Sequence, residues 1–272
     1  MVTALLRWIG HLQRFGRVED TILRVEDAAR AALEDVARRP NSGARAPVAL
    51  PETAIPVWPK QSGHVLTADI LKLDKIAAEA QLTVHVAVLP GALVHSGRPL
   101  MHIEPPADID TIEKLRSCFL IGKQREFDHD PHFGIIVLSE IASRALSPAV
   151  NDPGTAIEVA DAGVRLFLGY GAARAAAKPE PVCKRVHAPS VEIADLLFDF
   201  FNPIARDGAA MLEVQLRLIE ALSALIENQP DLFGAAAREH VRSIIDRSAE
   251  AMVSPRDRAR LMAAAGTFLD ED

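Results

Sequence analysis

Between Asp128 and His132 the chain reads DHDPH, two carboxylates and two imidazoles within five residues. Such a group offers oxygen and nitrogen donors to a hard or borderline metal, which makes Asp128, His129 and His132 candidate ligands. With Glu158 or Asp161 as base, a metal held there could activate water for hydrolysis. Against that chemistry, neighbouring side chains diverge at a helix start, and Asp130 stands before Pro131 as an acidic N-cap does. Farther on, Arg144, Asn151, Asp152 and Thr155 have the charge and hydrogen-bonding capacity to line a pocket for a polar ligand. Glu140 and Arg144 are four residues apart, as are Asp161 and Arg165, and Glu158 shares a stripe with the second pair. These charges either neutralise one another within their helices or leave a position open to a ligand. A nucleophilic triad, a phosphate-cradling glycine loop and a dinucleotide fingerprint are all absent, so no catalytic residue is assigned and binding is favoured over catalysis.

The elements that would position these groups are two helices. Asp130-Pro131 and Asp152-Pro153 repeat one device, a capping carboxylate followed by a proline whose missing N–H costs nothing in the first turn. The spacing predicts a first helix from Pro131 to about Leu146, apolar around much of its circumference and therefore buried. Pro148 ends it by pushing Ser147 out of the helical region. A second helix is predicted from Pro153 to about Leu168.

Upstream, Val18, Ile22, Val25, Ala29, Ala32 and Val36 form a near-heptad stripe on an amphipathic helix, which packs on the chain's own core or forms a seam with another copy. Arg38 to Pro59 carries five prolines and reads as an extended linker. Val57 to Pro106 reads as a small β-rich unit holding one helix, with alternation in TVHVAV and turn signals at Pro90-Gly91 and Ser96-Gly97. Those turn glycines resemble the barrel of biotinyl and lipoyl domains, but Lys72 and Lys75 fall in the predicted helix, so no covalently attached cofactor is expected. His64, His85, His95 and His102 have no metal-motif spacing and read as solvated strand histidines. From Asp108 onward the pattern is helical, with one helix interrupted or ended near Pro203 and another begun by Ser254-Pro255.

Composition bounds the rest. The chain has 272 residues, is 49% hydrophobic and 25% charged, and has a net charge of −7 with scattered acids, which excludes nucleic-acid binding driven by counterion release. Its two cysteines are too few for a disulfide framework and suit a reducing compartment. No window of about 18 apolar residues is present, and the opening MVTALLRWIGHLQRFG lacks a signal-peptide cleavage site.

DPHFG followed by EIASRALSPAVNDPGTA resembles the signature of a bacterial family of predicted membrane proteins, domain-of-unknown-function family 2254. The residues that carry the likeness include Asp130, Pro131, Phe133, Gly134, Arg144, Ser147, Pro148, Asn151, Asp152, Pro153 and Thr155. The resemblance implies transmembrane helices upstream of this chain, with MVTALLRWIGHLQRFG as a juxtamembrane segment, and a location on the cytoplasmic side of the bacterial inner membrane. It implies no activity and no cofactor. The expected architecture is α+β: an N-terminal amphipathic helix and linker (1–46), a small β-rich, barrel-like unit (47–106) and a C-terminal helical bundle (107–272). The expected role is a homo-oligomeric domain that binds a ligand or partner near the central helical hairpin, with metal-assisted hydrolysis as the competing reading.

Overall fold

The computed structural model describes residues 18–177 and 181–269. The opening segment to which a juxtamembrane role was assigned lies outside them. The described residues divide into two packing units, each assembled from separated stretches: one from residues 18–30, Gly134–Gly171 and 193–269, the other from Ala31–Phe133, 172–177 and 181–192.

The first unit is helical. It contains the beginning of α1 (Val18–Arg38), most of α4 (Pro131–Ala145) and α5 (Pro153–Ala175), and all of α6 (Ile193–Asp207), α7 (Leu212–Asn228), α8 (Pro230–Ala251) and α9 (Pro255–Leu269). Its core is built on aromatic rings: Phe167 of α5 meets Phe200 and Phe201 of α6 and Phe233 of α8, with centroids 5.7, 5.9 and 6.4 Å apart. Glycines set two close helix approaches. A Cβ on Gly134 would stand 2.4 Å from that of Ala29, and one on Gly163 would stand 2.2 Å from the Phe200 ring. The expected break at Pro203 does not occur, because α6 runs through it. An internal proline costs roughly 3 kcal/mol, and the burial of Phe200, Phe201, Ile204 and Ala205 on either side outweighs it. Ser254 caps α9 as its sequence predicts, its Oγ accepting from the Asp257 amide.

On α1 the buried positions are Ile22, Glu26, Ala29, Ala32, Leu33 and Ala37, while Val18 is exposed and Val25 and Val36 are half-buried. The inward stripe is thus rotated from the one expected, and it contains a carboxylate.

The second unit holds two small sheets that do not close into a barrel. β1 (Ile55–Val57), β5 (Met101–Glu104), β3 (Thr83–Val86) and β7 (Val186–His187) form one, in that order; β4 (Leu93–Val94), β2 (Gly63–Ala68) and β6 (Phe119–Gly122) form the other. Helices α2 (Ile70–Glu79) and α3 (Ile109–Arg116) complete the unit. Alternation places Val84, Val86, Met101 and Ile103 in the core. The opposite face of the first sheet carries a row in register, Pro56, His102, His85 and His187. His85 is not solvated as expected: it is 8% exposed, stacks on His187 at 5.2 Å and lies 3.2 Å from Glu104. The sequence could not show this, because β7 comes from far downstream. Among the described residues, no helix is long and apolar enough to cross a membrane.

Candidate functional site

Asp130 is 3% exposed and its carboxylate is fully engaged. Arg125 donates to both oxygens, at 2.6 and 2.9 Å, and the His132 and Phe133 amides donate to Oδ1 at 3.1 Å each. Arg125 also lies over the Phe133 ring, 5.3 Å from its centroid, and Phe133 packs on Phe127 at 4.8 Å. The cap read from the sequence is therefore an ion-paired hub. A bidentate guanidinium and two amide donors engage both oxygens, three of the four bonds at Oδ1 and one at Oδ2, and hold the carboxylate as a structural anchor. Asp128, His129 and His132 do not converge either: among the described residues no group of three His, Cys, Asp or Glu side chains is arranged to hold a metal ion.

The hairpin turn is locked by its own backbone. Ser147 Oγ donates to the Arg144 carbonyl at 2.7 Å, the Asn151 amide to that of Ser147 at 2.8 Å and the Asp152 amide to that of Ala145 at 2.8 Å. Asn151 takes a left-handed conformation, φ 52°, which asparagine tolerates. Asp152 caps α5, accepting from the Thr155 amide at 3.2 Å and hydroxyl at 2.7 Å, and these bonds hold its carboxyl below the usual range. The four residues expected to line a pocket are thus a turn and a cap. Asn151 and Asp152 are exposed and Thr155 half-buried, and none of them lines the cavities described below.

The charge pairing also differs from the sequence expectation. Glu140 and Arg144 are exposed and form no ion pair with each other among the described residues. Ile135, Leu138, Ala142 and Ala145 mark the buried side of α4, which puts positions 140 and 144 opposite it. On α5, Arg165 does not bond Asp161. It donates to both oxygens of Glu26, at 2.9 and 2.6 Å, while Asp161 pairs with Arg217 at 3.1 Å. Glu26 is 2% exposed and takes a further bond from Arg30 at 2.5 Å. Asp161 and Glu158 still contribute to holding Arg165 protonated, after Glu26. Glu158 itself is pushed up, chiefly by desolvation and then by the facing Glu19. Sequence reasoning missed Glu26, although an acid within an apolar helical stripe signals that a partner must exist.

One group from the DHDPH stretch does reach a cavity. His129 and Pro131 line a recess of about 370 Å³ in the second unit, together with Asp35, Arg39, Asn41, Ser42, Thr67 to Leu71, Pro90 and Ser190. Its volume falls in the range of small-molecule sites. Arg39 pairs with Asp35, Asp69 accepts from the Lys72 amide to cap α2, and Asn41 Nδ2 donates to the Ala188 carbonyl at 2.7 Å. The walls are held in place by these bonds, with apolar surface from Val36, Leu71 and Leu89 between the polar groups.

Comparison with known proteins agrees with the signature. The family model described as "Predicted membrane protein (DUF2254)" matches residues 1–224. Uncharacterized proteins of Mycobacterium tuberculosis and Mycobacterium bovis are each 25% identical to this chain over 283 residues, covering 97% of it and 53% of their own length. The chain thus spans about half the length of the curated relatives it matches. No solved structure matches it. With more than half of its length matched by the family model, the chain belongs to the DUF2254 family of predicted membrane proteins.

Proposed function

We propose that this chain is a non-catalytic domain on the cytoplasmic side of a membrane protein, and that it binds a small polar ligand in the recess lined by His129 and Pro131. The observation that carries the reading is the occupancy of the signature's carboxylates. Asp130 is buried and bonded at both oxygens by Arg125 and at Oδ1 by two amides, and Asp152 is held as a cap by Thr155, whereas His129 lines a cavity. A general base or metal ligand needs a free lone pair, while a binding recess needs held walls. Two buried free thiols, Cys118 and Cys183, support a reducing compartment. The stripe that could join copies is buried within the chain at Ile22, Ala29 and Ala32, so association would use another face.

Two measurements test the proposal. In a bacterial host expressing the full-length protein, protease added to inverted membrane vesicles should cleave this domain and protease added to spheroplasts should leave it intact; cleavage in spheroplasts overturns the cytoplasmic placement. Native mass spectrometry of the purified chain should show a small-molecule adduct that His129→Trp abolishes by filling the recess. A wild-type chain that carries no adduct, after purification or after incubation with a metabolite extract, overturns the ligand reading.

A further inference from the structure

A second cavity of the same unit, about 470 Å³, has a different chemistry. Arg38, Arg39 and Arg45 line it and, among the described residues, no carboxylate does, in a chain whose net charge is −7. We infer that this cavity is a binding site for a phosphate-bearing anion, held by Arg38, Arg39 and Arg45 above His187.

The backbone around the three guanidiniums is pinned. The Arg45 amide donates to the Val186 carbonyl at 2.9 Å and its carbonyl accepts from the Ala188 amide at 3.1 Å, which ties it beside β7. Its side chain is exposed and takes no partner among the described residues. The turn between Arg39 and Ala44 has Asn41 and Ser42 in the left-handed region, φ 53° and 55°. Two consecutive non-glycine residues there are unfavourable and persist only where the surroundings hold them. Asn41 Nδ2 on the Ala188 carbonyl and the Val182 and Cys183 amides on the Gly43 carbonyl do so. The cavity wall is therefore organised before any ligand arrives, which lowers the cost of binding.

Arg38 and Arg39 pair with Glu34 and Asp35 within α1, in exposed i,i+4 arrangements that contribute little and can be surrendered to a ligand. Guanidinium forks match phosphate oxygens bidentately. His187, which also lines the cavity, is 7% exposed; its Nδ1 bonds the Ala46 carbonyl at 2.6 Å, and among the described residues no hydrogen-bond partner takes Nε2. Membership of a membrane-protein family makes a lipid headgroup one source of such a phosphate, and a free phosphate compound is the other.

The test uses the described chain in two assays. In thermal denaturation, inorganic phosphate is compared with chloride at matched ionic strength; in flotation, vesicles of phosphatidylglycerol with phosphatidylcholine are compared with phosphatidylcholine alone. Arg45→Gln and the pair Arg38→Gln/Arg39→Gln alter exposed side chains, and unchanged melting in chloride verifies their folds. Binding should weaken roughly tenfold or more in Arg45→Gln. Phosphate stabilisation without flotation assigns a free phosphate compound; flotation confined to phosphatidylglycerol vesicles and lost in the variants assigns a headgroup. Equal responses to phosphate and chloride together with no vesicle preference overturn the inference, as does binding unaltered in both variants. Arg39 and Asn41 border both cavities, so the two sites are told apart by the residues that line one of them: Arg45→Gln should weaken anion binding, and His129→Trp should leave all of these readouts unchanged.

Discussion

A Cβ added to Gly91 would stand 2.3 Å from Oδ2 of Asp130, so the carboxylate occupies the space a side chain would need. Gly91 also adopts φ +89°, a conformation that L side chains rarely take. Turn and hub thus require each other. Gly91→Ala should destabilise the chain by more than about 1 kcal/mol. Asp130→Ala, which strips Arg125 and two amides of their acceptor, should cost roughly 2–3 kcal/mol. Urea titration reads both, and a Gly91→Ala midpoint equal to wild type would show that the crowding relaxes freely.

Arg165 and Glu26 join α5 to α1 within the helical unit. Arg165→Ala leaves a buried carboxylate with Arg30 alone and should cost about 2 kcal/mol. Glu26→Gln should cost less, because Arg165 is about half exposed and can rehydrate. A double-mutant cycle should give a coupling of at least about 0.5 kcal/mol; additive effects would mean that the bidentate contact contributes nothing.

Glu158 gives a pH signature. Its pKa is raised in the folded chain by desolvation and then by Glu19, so the fold favours the protonated form. The stability it contributes is present below the unfolded carboxylate pKa and is lost as pH rises through the folded value. Glu158→Gln should therefore raise the melting temperature at pH 7, with the gain shrinking as pH falls into the acid range. Asp152 has the opposite sign: its Thr155 bonds lower its pKa, so its contribution is lost as pH falls. Melting curves from pH 2 to 8 for Glu158→Gln and Asp152→Asn distinguish the two, because the Asp152 contribution is lost only below the ordinary carboxylate value.

Burial pushes the thiols of Cys118 and Cys183 up to about 11. The thiolate is the nucleophile, so neither should react with iodoacetamide in the native chain at pH 8, and both should react once it unfolds. Rapid native labelling followed by mass spectrometry would show that one of these sites opens.

Gly134 meets Ala29 too closely for a side chain. Gly134→Ala should cost about 1–3 kcal/mol through overpacking, and Ala29→Gly in the same chain should restore only part of it, because the Ala29 Cα is also within 2.8 Å of the added atom.

Local chemistry made much of this fold legible. The Asp-Pro starts of α4 and α5, the Ser254 cap, the turn before Asp152 and the β-rich segment rest on backbone donors, proline geometry and side-chain period, all of which act within a few residues. The signature from Asp130 to Ala156 likewise indicated the family. What the sequence left open concerns partners far apart along the chain. Arg165 could bond Asp161 or Glu26 by reach alone, and only the packing of α5 beside α1 decided for Glu26, 139 positions away. His85 alternated outward and read as solvated until β7 put His187 against it. Arg144 to Asp152 form a capped turn, while the recess beside His129 takes that residue from one segment, Asn41 from another and Ser190 from a third. By itself the sequence determined where α4, α5 and α9 begin, because capping signals are short-range, whereas at Pro203 the burial of α6 overrode the local signal. Which charges are neutralised and which side chains line a cavity depends on burial and on long-range pairing, and only the tertiary structure decided it.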